Sequence, residues 1–519
     1  MLLTLQFHRA RISSAKPVNA FDAVSFISDD ENYRVQVQEP VLDLLKVEEL
    51  SSKYDIAVPH PSLQWTGTYP CFPRNAVLTH MLYVTLEQDL AFFKSAAGET
   101  VFSQLVLIPE PKLPPNFVSI TAAERLFKAL FLHFDRILAK DPLQDVQQDP
   151  SWTFFKRLEN ALYPWIHPHW DNAFHINNQT SGKGIVLCVG NNQFKFAAST
   201  IRAIREVFHN TLPIEVFFIR EKDLDIAKRR YLTSEFDNLT LMKLDDYVDD
   251  YYTKFGGWAM KPFSMLASKF SEVIMMDADV FFFQDPGLLF DDEGYKMTGS
   301  LFYYDRTLFP NWTKGPDWMR SFLPTMSSFV PKSRWFRGVS THEQESGVVV
   351  MDKRKALLGL LSTCKMNGVT ERNEVVYKHV YGDKETYWVG FEVTQTPYAF
   401  VHSYAAVIGS HGRGDTDGSP EYICGNEIHL DTEGKPFWSN GGLYRNKHAK
   451  NGLEYLNFTH FSTGDDWEFR TNCIKNKDTV HDIDPVQRAH ASAFIEIDKK
   501  RVLHQELLDK NKWNFKDTV

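Results

Sequence analysis

The sequence SEVIMMDADVFFF, residues 271–283, decides the fold expected for this chain. Two apolar runs, residues 273–276 and 280–283, surround Asp277 and Asp279 and predict one strand that is buried on both faces. An ionised carboxylate inside such a strand is costly unless a partner compensates its charge. Side chains at positions i and i+2 of a strand point to the same side, so the two carboxylates are expected to converge. Converging oxygen ligands suit a hard divalent cation, Mn²⁺ or Mg²⁺. The alternative is a pair at a sheet edge that caps a helix or faces water.

Strand and helix patterns alternate on both sides of this stretch, which predicts an α/β fold with crossover connections. The predicted strands are residues 184–190, 214–219, 239–244, 297–304 and 346–351, and the predicted helices between them are residues 194–208 and 262–270. In open α/β sheets, ligands bind at the carboxyl ends of the strands. The first strand is followed by Gly190, Asn191 and Asn192. These residues are therefore expected to line one side of a cleft that also contains Asp279, and this side would bind a nucleotide.

The remainder of the chain predicts helices and connecting segments. Apolar residues at helical spacing predict helices over residues 121–138 and 152–166 and a helical tail over residues 485–513. Residues 109–115, rich in proline, predict a boundary. The first 75 residues, mixed in composition and interrupted by prolines, resemble a stalk or a loosely packed arm.

Composition excludes some classes of protein and leaves others open. The chain has 519 residues, 24% charged residues and a net charge of −9, so a nucleic-acid partner is not expected. Its 5 cysteines are widely spaced and contain no CxxC pair, which argues against a zinc site and leaves up to two disulfides open. No run of 18 apolar residues is present, so no membrane-spanning helix is predicted in this chain.

Four further positions carry side chains that suit chemistry close to the aspartate pair. Lys261 opens the helix before the aspartates, where a lysine is unfavourable to the helix dipole and a phosphate contact would explain it. Glu345 stands at the start of a strand and could face a sugar. Asp383 and Glu385 lie among aromatic residues and could form a second carboxylate pair. The alternatives are that Lys261 is a solvated surface lysine, that Glu345 is an acid in a loop and that Asp383 is a helix N-cap.

Histidines cluster late in the sequence and offer a third metal ligand, since imidazole binds Mn²⁺ alongside carboxylates. Five of them lie between residues 402 and 460, and any one of them can also have a structural role. His460, within the sequence HFSTG, is the candidate metal ligand.

Several of these motifs, in this order, resemble the fungal Golgi α-1,3-mannosyltransferase family, which is glycosyltransferase family 71. The resemblance spans about residues 150–460 and rests on the sequences GIVLCVG at 184–190, MKPF at 260–263, DAD at 277–279, ESGVVV at 345–350, GDKE at 382–385 and GKPF at 434–437. The resemblance implies a GT-A type fold, a Rossmann-like mixed sheet flanked by helices, with a helical N-terminal region. It also implies GDP-mannose as the donor, Mn²⁺ at Asp277 and Asp279, and retaining transfer of mannose to mannose residues of glycoprotein glycans.

The resemblance divides the chain into an N-terminal stem or arm (1–115), a helical region that packs on the catalytic domain (116–180), a GT-A catalytic domain (181–465) and a C-terminal helical tail (466–519). It implies a type II protein of the Golgi membrane with its catalytic part in the lumen, although the anchor that the family carries is absent from this sequence. A similar Lys-Pro pair in glycogenin-like transferases places the lysine at the donor phosphates, which favours that role for Lys261.

Three other functions stay open at this point. The ESG strand favours α-1,3 over α-1,2 transfer within the same family. A phosphatase of the haloacid-dehalogenase type also has an Asp-x-Asp strand, with the first aspartate as nucleophile, but that strand usually comes first in the fold. A carbohydrate-binding homologue without catalytic activity is the third alternative, and the intact aspartate pair argues against it.

Overall fold

The computed structural model describes most of the chain beyond residue 113 and one segment before it. The described residues are 37–59, 114–141, 145–167, 169–412, 422–447, 454–468 and 471–510. Most of the predicted N-terminal stem, residues 1–36 and 60–113, therefore lies outside the described residues, as do Cys71 and the end of the predicted tail.

Fifteen strands lie in the described part of the chain. They are β1 Tyr54–Ala57, β2 Lys183–Cys188, β3 Ile214–Phe218, β4 Leu239–Lys243, β5 Glu272–Met276, β6 Val280–Phe282, β7 Ser300–Tyr304, β8 Gln344–Asp352, β9 Tyr398–Val401, β10 Ala406–His411, β11 Ile423–Leu430, β12 Pro436–Asn440, β13 His460–Ser462, β14 Cys473–Ile474 and β15 Val480–Asp482.

Fourteen α-helices accompany these strands in the same part of the chain. They are α1 Leu44–Glu49, α2 Phe117–Lys140, α3 Pro150–Leu162, α4 Phe174–Asn178, α5 Phe194–Glu206, α6 Ile226–Glu235, α7 Asp250–Thr253, α8 Met260–Ala267, α9 Glu293–Thr298, α10 Lys314–Phe322, α11 Lys353–Met366, α12 Val369–Glu374, α13 Thr386–Thr394 and α14 Pro485–Lys510.

The larger sheet has eight strands in the order β1-β9-β7-β8-β5-β2-β3-β4. Strands β5, β2, β3 and β4 run parallel, whereas β8 is antiparallel to both β5 and β7. Helices cover both faces of this sheet. On β5, Val273 and Met275 belong to the core on one face, while Ile274 and Met276 belong to the core on the other. This mixed sheet flanked by helices confirms the predicted fold class.

The smaller sheet has the order β15-β13-β10-β11-β12-β6, with β14 paired to β11, and its strands are antiparallel throughout. Strand β6 is its edge strand, whereas β5 lies inside the larger sheet. The prediction of one continuous strand through Asp277 and Asp279 is therefore wrong. The chain leaves the larger sheet after Met276 and enters the smaller sheet at Val280, so the aspartates lie in the connection between the two sheets.

The flanking regions pack onto this two-sheet body. Strand β1, from the predicted stem, pairs with β9 at the edge of the larger sheet. Helices α2, α3 and α4 share a core with one face of that sheet. Helix α14 packs against the smaller sheet, with the Phe494 ring 5.4 Å from that of Phe281.

Cys424 and Cys473 form a disulfide between β11 and β14, while Cys188 and Cys364 are free thiols. Across the residues that the structure describes, none of the helices combines the length and the apolar character needed to span a bilayer.

Candidate active site

The DAD sequence forms a tight turn where the two sheets meet. The backbone N–H of Asp277 donates to the Gly347 carbonyl at 2.8 Å, and that of Val280 donates to the Asp277 carbonyl at 3.2 Å. The backbone N–H of Gly442 holds the far side of the turn by donating to the Asp279 carbonyl at 2.9 Å. Because the chain turns here, both carboxylates leave the apolar interior. The Asp277 side chain is 28% exposed and that of Asp279 is 15% exposed.

Lys261, on α8, places a buried cation beside the first aspartate. Its Nζ donates to Asp277 Oδ1 at 3.0 Å, to the Ser346 carbonyl at 2.8 Å and to Ser346 Oγ at 3.0 Å, and it lies 3.3 Å from Asp383 Oδ2. Burial by itself would lower the pKa of this ammonium, but the two carboxylates outweigh burial and raise the pKa above its usual value. Lys261 therefore stays charged and holds Asp277 and Asp383 together.

The carboxylates around Lys261 repel one another. Burial raises the pKa of Asp277 to about 6; Lys261 opposes this rise, and the charges of Asp279, Asp383 and Glu345 add to it. The pKa of Asp383 is also raised, again mainly by burial. A further positive charge at this turn would lower both pKa values, which is the response expected of a cation site.

Glu345, at the start of β8, is held from three directions. Its Oε1 accepts from the Gly347 backbone N–H at 2.9 Å and from Asn440 Nδ2 at 2.8 Å, and its Oε2 pairs with Lys384. A Cβ at position 347 would lie 2.8 Å from Asn440 Nδ2 and 3.0 Å from Glu345 Oε1, so a larger residue there would displace these two side chains. Burial would raise the pKa of Glu345, but the Lys384 ammonium outweighs burial and lowers it. This carboxylate is therefore ionised and fixed in one orientation.

Lys384 also binds Asp305, at the end of β7, with 2.6 Å between Nζ and Oδ2. Carboxylate oxygens of Asp305, Glu345 and Glu427 lie within 4.8 Å of one another, a spacing that could hold a metal ion. Lys384 and Arg306 already pair with these three carboxylates, so the group is largely neutralised by the protein's own cations.

Asp279 pairs with Lys447, a residue 32% exposed. Lys447 lines a cleft of 870 Å³ together with Asn440 and Gly441, so this cleft adjoins Asp279 through Lys447. Ion pairs at and near the turn join six carboxylates (Asp277, Asp279, Asp305, Glu345, Asp383 and Glu427) to four cationic side chains (Lys261, Arg306, Lys384 and Lys447). Six against four leaves a formal excess of two negative charges.

The structure brings Lys261, Asp277, Glu345 and Asp383 together, as the sequence predicted, and it adds Ser346 to them. Glu385 is fully buried beneath this group instead. Its Oε1 accepts from the Glu343 backbone N–H at 2.8 Å, and its Oε2 accepts from Trp388 Nε1 at 2.5 Å. Burial raises the pKa of Glu385 to about 8. Its bonds support the backbone before Glu345, which suits a positioning role.

Gly190, Asn191 and Asn192 follow β2 at the same edge of the larger sheet as Asp277, because Leu187 on β2 pairs with Met276 on β5. The Asn191 side chain is bound to the segment after β3, where its Oδ1 accepts from the Asp225 backbone N–H at 3.0 Å and from Lys228 Nζ at 2.9 Å. These three residues thus lie at the expected sheet edge, and their contact with a nucleotide stays a prediction.

His460 is not brought to the aspartates. It lies on β13, and β10, β11 and β12 separate that strand from β6. Its Nδ1 bonds with Thr459 Oγ1 at 2.8 Å, and its Nε2 is 3.3 Å from Asp482 Oδ1. Strands are spaced by about 4.8 Å, so the sheet order puts roughly 19 Å between β13 and β6. The histidine-rich sequence alone could not show this separation.

The sequence analysis missed Lys447, Lys384, Asp305 and Asn440. Lys384 adjoins the predicted Asp383, and Asp305 directly follows a predicted strand, so strand-end position was a usable signal for both. Nothing in the sequence near Lys447 or Asn440 indicated contact with residues about 100 or more positions earlier.

Comparisons with known proteins show that the chain is similar to mannosyltransferases. Residues 182–431 match the model of a family described as "Mannosyltransferase putative". "Putative alpha-1,3-mannosyltransferase MNN1" of Candida albicans is 25% identical over 371 residues, which cover 60% of this chain and 43% of that protein. Alpha-1,3-mannosyltransferase MNN1 of Saccharomyces cerevisiae is 24% identical over 396 residues, which cover 66% of this chain and 48% of that protein. The chain thus spans less than half the length of these relatives.

A solved structure of the S. cerevisiae mannosyltransferase Ktr4p in complex with GDP aligns at 14% identity, covering 41% of this chain and 66% of Ktr4p, with a TM-score of 0.26. A score this low does not establish a shared fold by itself. The similarity to mannosyltransferases rests instead on the family match, which contains the DAD turn, Lys261, Glu345 and Asp383, and on the named relatives. Residues 182–431 thus match a mannosyltransferase family, and the chain is similar to fungal α-1,3-mannosyltransferases.

Proposed function

We propose that this chain transfers mannose from GDP-mannose to a mannose residue of a protein-linked glycan, in α-1,3 linkage and with retention of configuration. The observation that carries the proposal is the DAD turn. It places two partly exposed carboxylates side by side, and the turn lies within the segment that matches the mannosyltransferase family. The named relatives support mannose and the α-1,3 linkage, and α-1,2 transfer is the alternative within the family.

The residues at the turn fit a divalent cation, Mn²⁺ or Mg²⁺. Asp277 and Asp279 offer carboxylate oxygens, the ligands that these ions prefer. The formal excess of two negative charges is the amount that one divalent ion compensates. The Lys447 ammonium on Asp279 is a second sign that this carboxylate attracts a cation. When bound, the cation would supply Lewis-acid stabilisation of the diphosphate leaving group.

The chain's own residues would orient the donor and stabilise charge. Lys261 keeps Asp277 and Asp383 in place, and its donors are engaged by protein acceptors, so its direct contact with a phosphate stays a prediction. Glu345, ionised and fixed by Lys384 and Asn440, would stabilise positive charge that develops on the transferred sugar. Gly190, Asn191 and Asn192 would line the nucleotide side, and Glu385 would position the backbone before Glu345.

Two functions from other classes are less well supported. A haloacid-dehalogenase-like phosphatase would need an aspartate nucleophile on its first strand, whereas β2, β3 and β4 precede the DAD turn here. A carbohydrate-binding homologue without activity would not need the lysine-paired carboxylates at the turn. Residence in the Golgi lumen or membrane is proposed on the family resemblance alone, and fractionation of cells that express the full-length protein would test it.

The test is incubation with a panel of nucleotide sugars, Mn²⁺ and a mannoside acceptor, with release of the nucleoside diphosphate as the measurement. We expect GDP release from GDP-mannose, loss of that release with a chelator, and its recovery with Mn²⁺. NMR analysis of the product would assign α-1,3 or α-1,2 linkage. Turnover of UDP-sugars alone would overturn the donor assignment, and full activity in the chelator would overturn the cation assignment.

A further inference from the structure

The cleft beside the DAD turn is lined by two groups of side chains. Asn440 and Lys447 form the first group and contact Glu345 and Asp279. Arg306, Glu427 and Trp467 form the second group, called the far wall, in which Glu427 on β11 is the cross-strand partner of Asn440 on β12. The far wall therefore adjoins Glu345, whose carboxylate lies within 4.8 Å of that of Glu427. The cleft has a volume of 870 Å³, a size typical of small-molecule sites.

Arg306 is the centre of the far wall. Its Nε pairs with Glu427, its guanidinium carbon lies 5.0 Å from the centre of the Trp467 ring, and its Nη1 donates to Asn472 Oδ1 at 3.4 Å. Its backbone N–H donates to Asp305 Oδ1 at 2.6 Å. Arg306 thus links the end of β7 to β11 and to the segment that carries Trp467.

The far wall is also fixed by a disulfide and by a hydrogen bond of Trp467. The disulfide between Cys424 and Cys473 joins β11 to the chain just after Trp467 and Asn472. The Trp467 indole N–H donates to the Ala405 carbonyl at 3.0 Å, so this polar group is already satisfied. What Trp467 offers to the cleft is therefore apolar ring surface in a fixed position.

The two groups of lining side chains favour different ligands. The DAD turn is suited to a cation and, through it, to a diphosphate. At the far wall, Glu427 pairs with Arg306, and Lys384 pairs with the other two carboxylates of the group of three that lie within 4.8 Å. These two cations are thus already paired with carboxylates, which disfavours a phosphate, whereas carboxylates accept hydrogen bonds from uncharged hydroxyl groups.

A fixed aromatic surface beside a carboxylate and a guanidinium is suited to a sugar ring. A pyranose presents an apolar C–H face to an aromatic ring and hydroxyl groups at its edge to charged side chains. We propose that Arg306, Glu427 and Trp467 form the subsite for the acceptor's mannose residue. This inference rests on the proposed function, because an acceptor exists only if the chain is a transferase.

The test compares Trp467→Ala and Glu427→Gln with two matched controls outside the cleft. The controls are Trp312→Ala, an exposed tryptophan, and Glu433→Gln, which pairs with Lys435 on an exposed turn. The acceptor is methyl α-D-mannopyranoside, the donor is GDP-mannose, and the KM of each is measured with Mn²⁺ present. Hydrolysis of GDP-mannose without acceptor gives a second measure of the donor site.

We expect each test variant to raise the acceptor KM about tenfold, equivalent to about 1.4 kcal/mol. For Trp467→Ala the donor KM and the hydrolysis rate should stay within about twofold of wild type, as should every constant of the controls. Glu427→Gln lies next to Glu345 and is judged on the acceptor KM alone. An unchanged acceptor KM in both variants would overturn the subsite, and so would an equal rise in the donor KM of Trp467→Ala.

Hydrogen exchange of the wild-type chain needs no variant and covers the case in which a variant fails to fold. With GDP and Mn²⁺ present, methyl α-D-mannopyranoside should slow exchange over residues 423–430 and 465–474. Slower exchange elsewhere and none there would overturn the subsite. Failure of the wild-type chain to consume any nucleotide sugar would instead overturn the proposed function, so the two failures are distinguishable.

Discussion

Asp277 and Asp279 are two residues apart in one turn, yet their surroundings differ. Asp277 belongs to an interior cluster with Lys261 and Asp383, in which the lysine side chain is 5% exposed and bonds to several acceptors of the protein. Asp279 belongs to a cleft rim with Lys447, a lysine 32% exposed that the structure pairs with this one carboxylate among the described residues. The ammonium paired with Asp277 is therefore buried, whereas the ammonium paired with Asp279 is partly exposed.

This difference indicates a division of roles within the DAD turn. A buried ion pair is rigid, and removing one partner leaves an uncompensated charge in the interior. An ion pair near solvent contributes little to stability, so another cation can replace the lysine at low cost. We therefore expect the interior cluster to determine stability and the cleft rim to determine cation binding.

Asp279→Ala should have the largest effect, on activity alone. Loss of one preorganised electrostatic group typically lowers the rate about 100- to 1,000-fold, and Mn²⁺ should no longer restore a chelated sample. Mannosyl transfer and Mn²⁺ titration are the measurements. The control is Asp291→Ala, which removes an exposed aspartate paired with Lys296. Wild-type transfer by the Asp279 variant would contradict the assignment of the cation site.

Lys261→Met should have the largest effect on stability. The substitution leaves the buried Asp383 and the partly exposed Asp277 without their cation, and loss of a buried partner typically costs about 3–5 kcal/mol. Urea unfolding measures the change in the free energy of unfolding. Lys183→Met removes an exposed lysine paired with Glu272 and should change that free energy by less than about 1 kcal/mol. Equal effects of the two substitutions would remove the distinction between the interior cluster and the cleft rim.

Glu124, on α2, is a buried carboxyl outside the site with no lysine in contact among the described residues. It shows how burial changes the pKa of such a carboxyl. It accepts from Ser362 Oγ at 2.6 Å and from Tyr163 Oη at 3.2 Å. Burial raises its pKa from 4.5 to about 7. The folded state therefore binds more protons than the unfolded state between these pH values. The stability that this group contributes is full below pH 4.5 and is lost as the pH rises through 7.

Glu124→Gln should remove this dependence, because glutamine has no proton to lose. Relative to the variant, the wild-type chain should lose up to about 3 kcal/mol between about pH 5 and about pH 8. Urea unfolding at both pH values gives the difference. The control is Glu374→Gln, an exposed residue that pairs with Lys378. Parallel pH profiles for wild type and Glu124→Gln would show that the burial of this carboxyl does not shift its titration.

Lys447→Met should have the smallest effect. The free energy of unfolding should change by less than about 1 kcal/mol, and Mn²⁺ should bind about two- to fivefold more tightly because no ammonium competes for Asp279. Calorimetric titration of Mn²⁺ measures this. Lys296→Met, at an exposed ion pair, serves as the control. Weaker Mn²⁺ binding by the Lys447 variant would show that this lysine supports the cation instead of competing with it.

The sequence predicted the elements of the fold more accurately than their connection. Most of the predicted strands and helices begin and end within a few residues of observed ones, because apolar spacing reports burial directly. The break at the DAD turn could not be predicted in this way. Both flanking runs are apolar, and apolar spacing is the same whether a chain continues in one sheet or enters a second one. Only the partners of β5 and β6 distinguish the two cases.

The candidate site divides in the same manner. Lys261, Asp277, Glu345 and Asp383 were predicted because each lies at a strand or helix end within a recognisable motif. Lys384 pairs with Glu345, and Lys447 pairs with Asp279, because the fold brings them together. The burial of Glu385 depends on the fold in the same way. His460 shows the reverse: its sequence surroundings suggested a metal ligand, while the strand order of the smaller sheet keeps it apart from the aspartates.

The sequence by itself predicted the α/β class, the resemblance to mannosyltransferases and a site at Asp277 and Asp279, because local apolar patterns and ordered motifs carry that information. Tertiary structure alone decided that the two aspartates occupy a turn between sheets, that Lys261 is buried while Lys447 is partly exposed, and that Arg306, Glu427 and Trp467 line the adjoining cleft. The physical reason is that charge pairing and burial depend on distances between residues far apart in the chain, which spacing along the sequence does not encode.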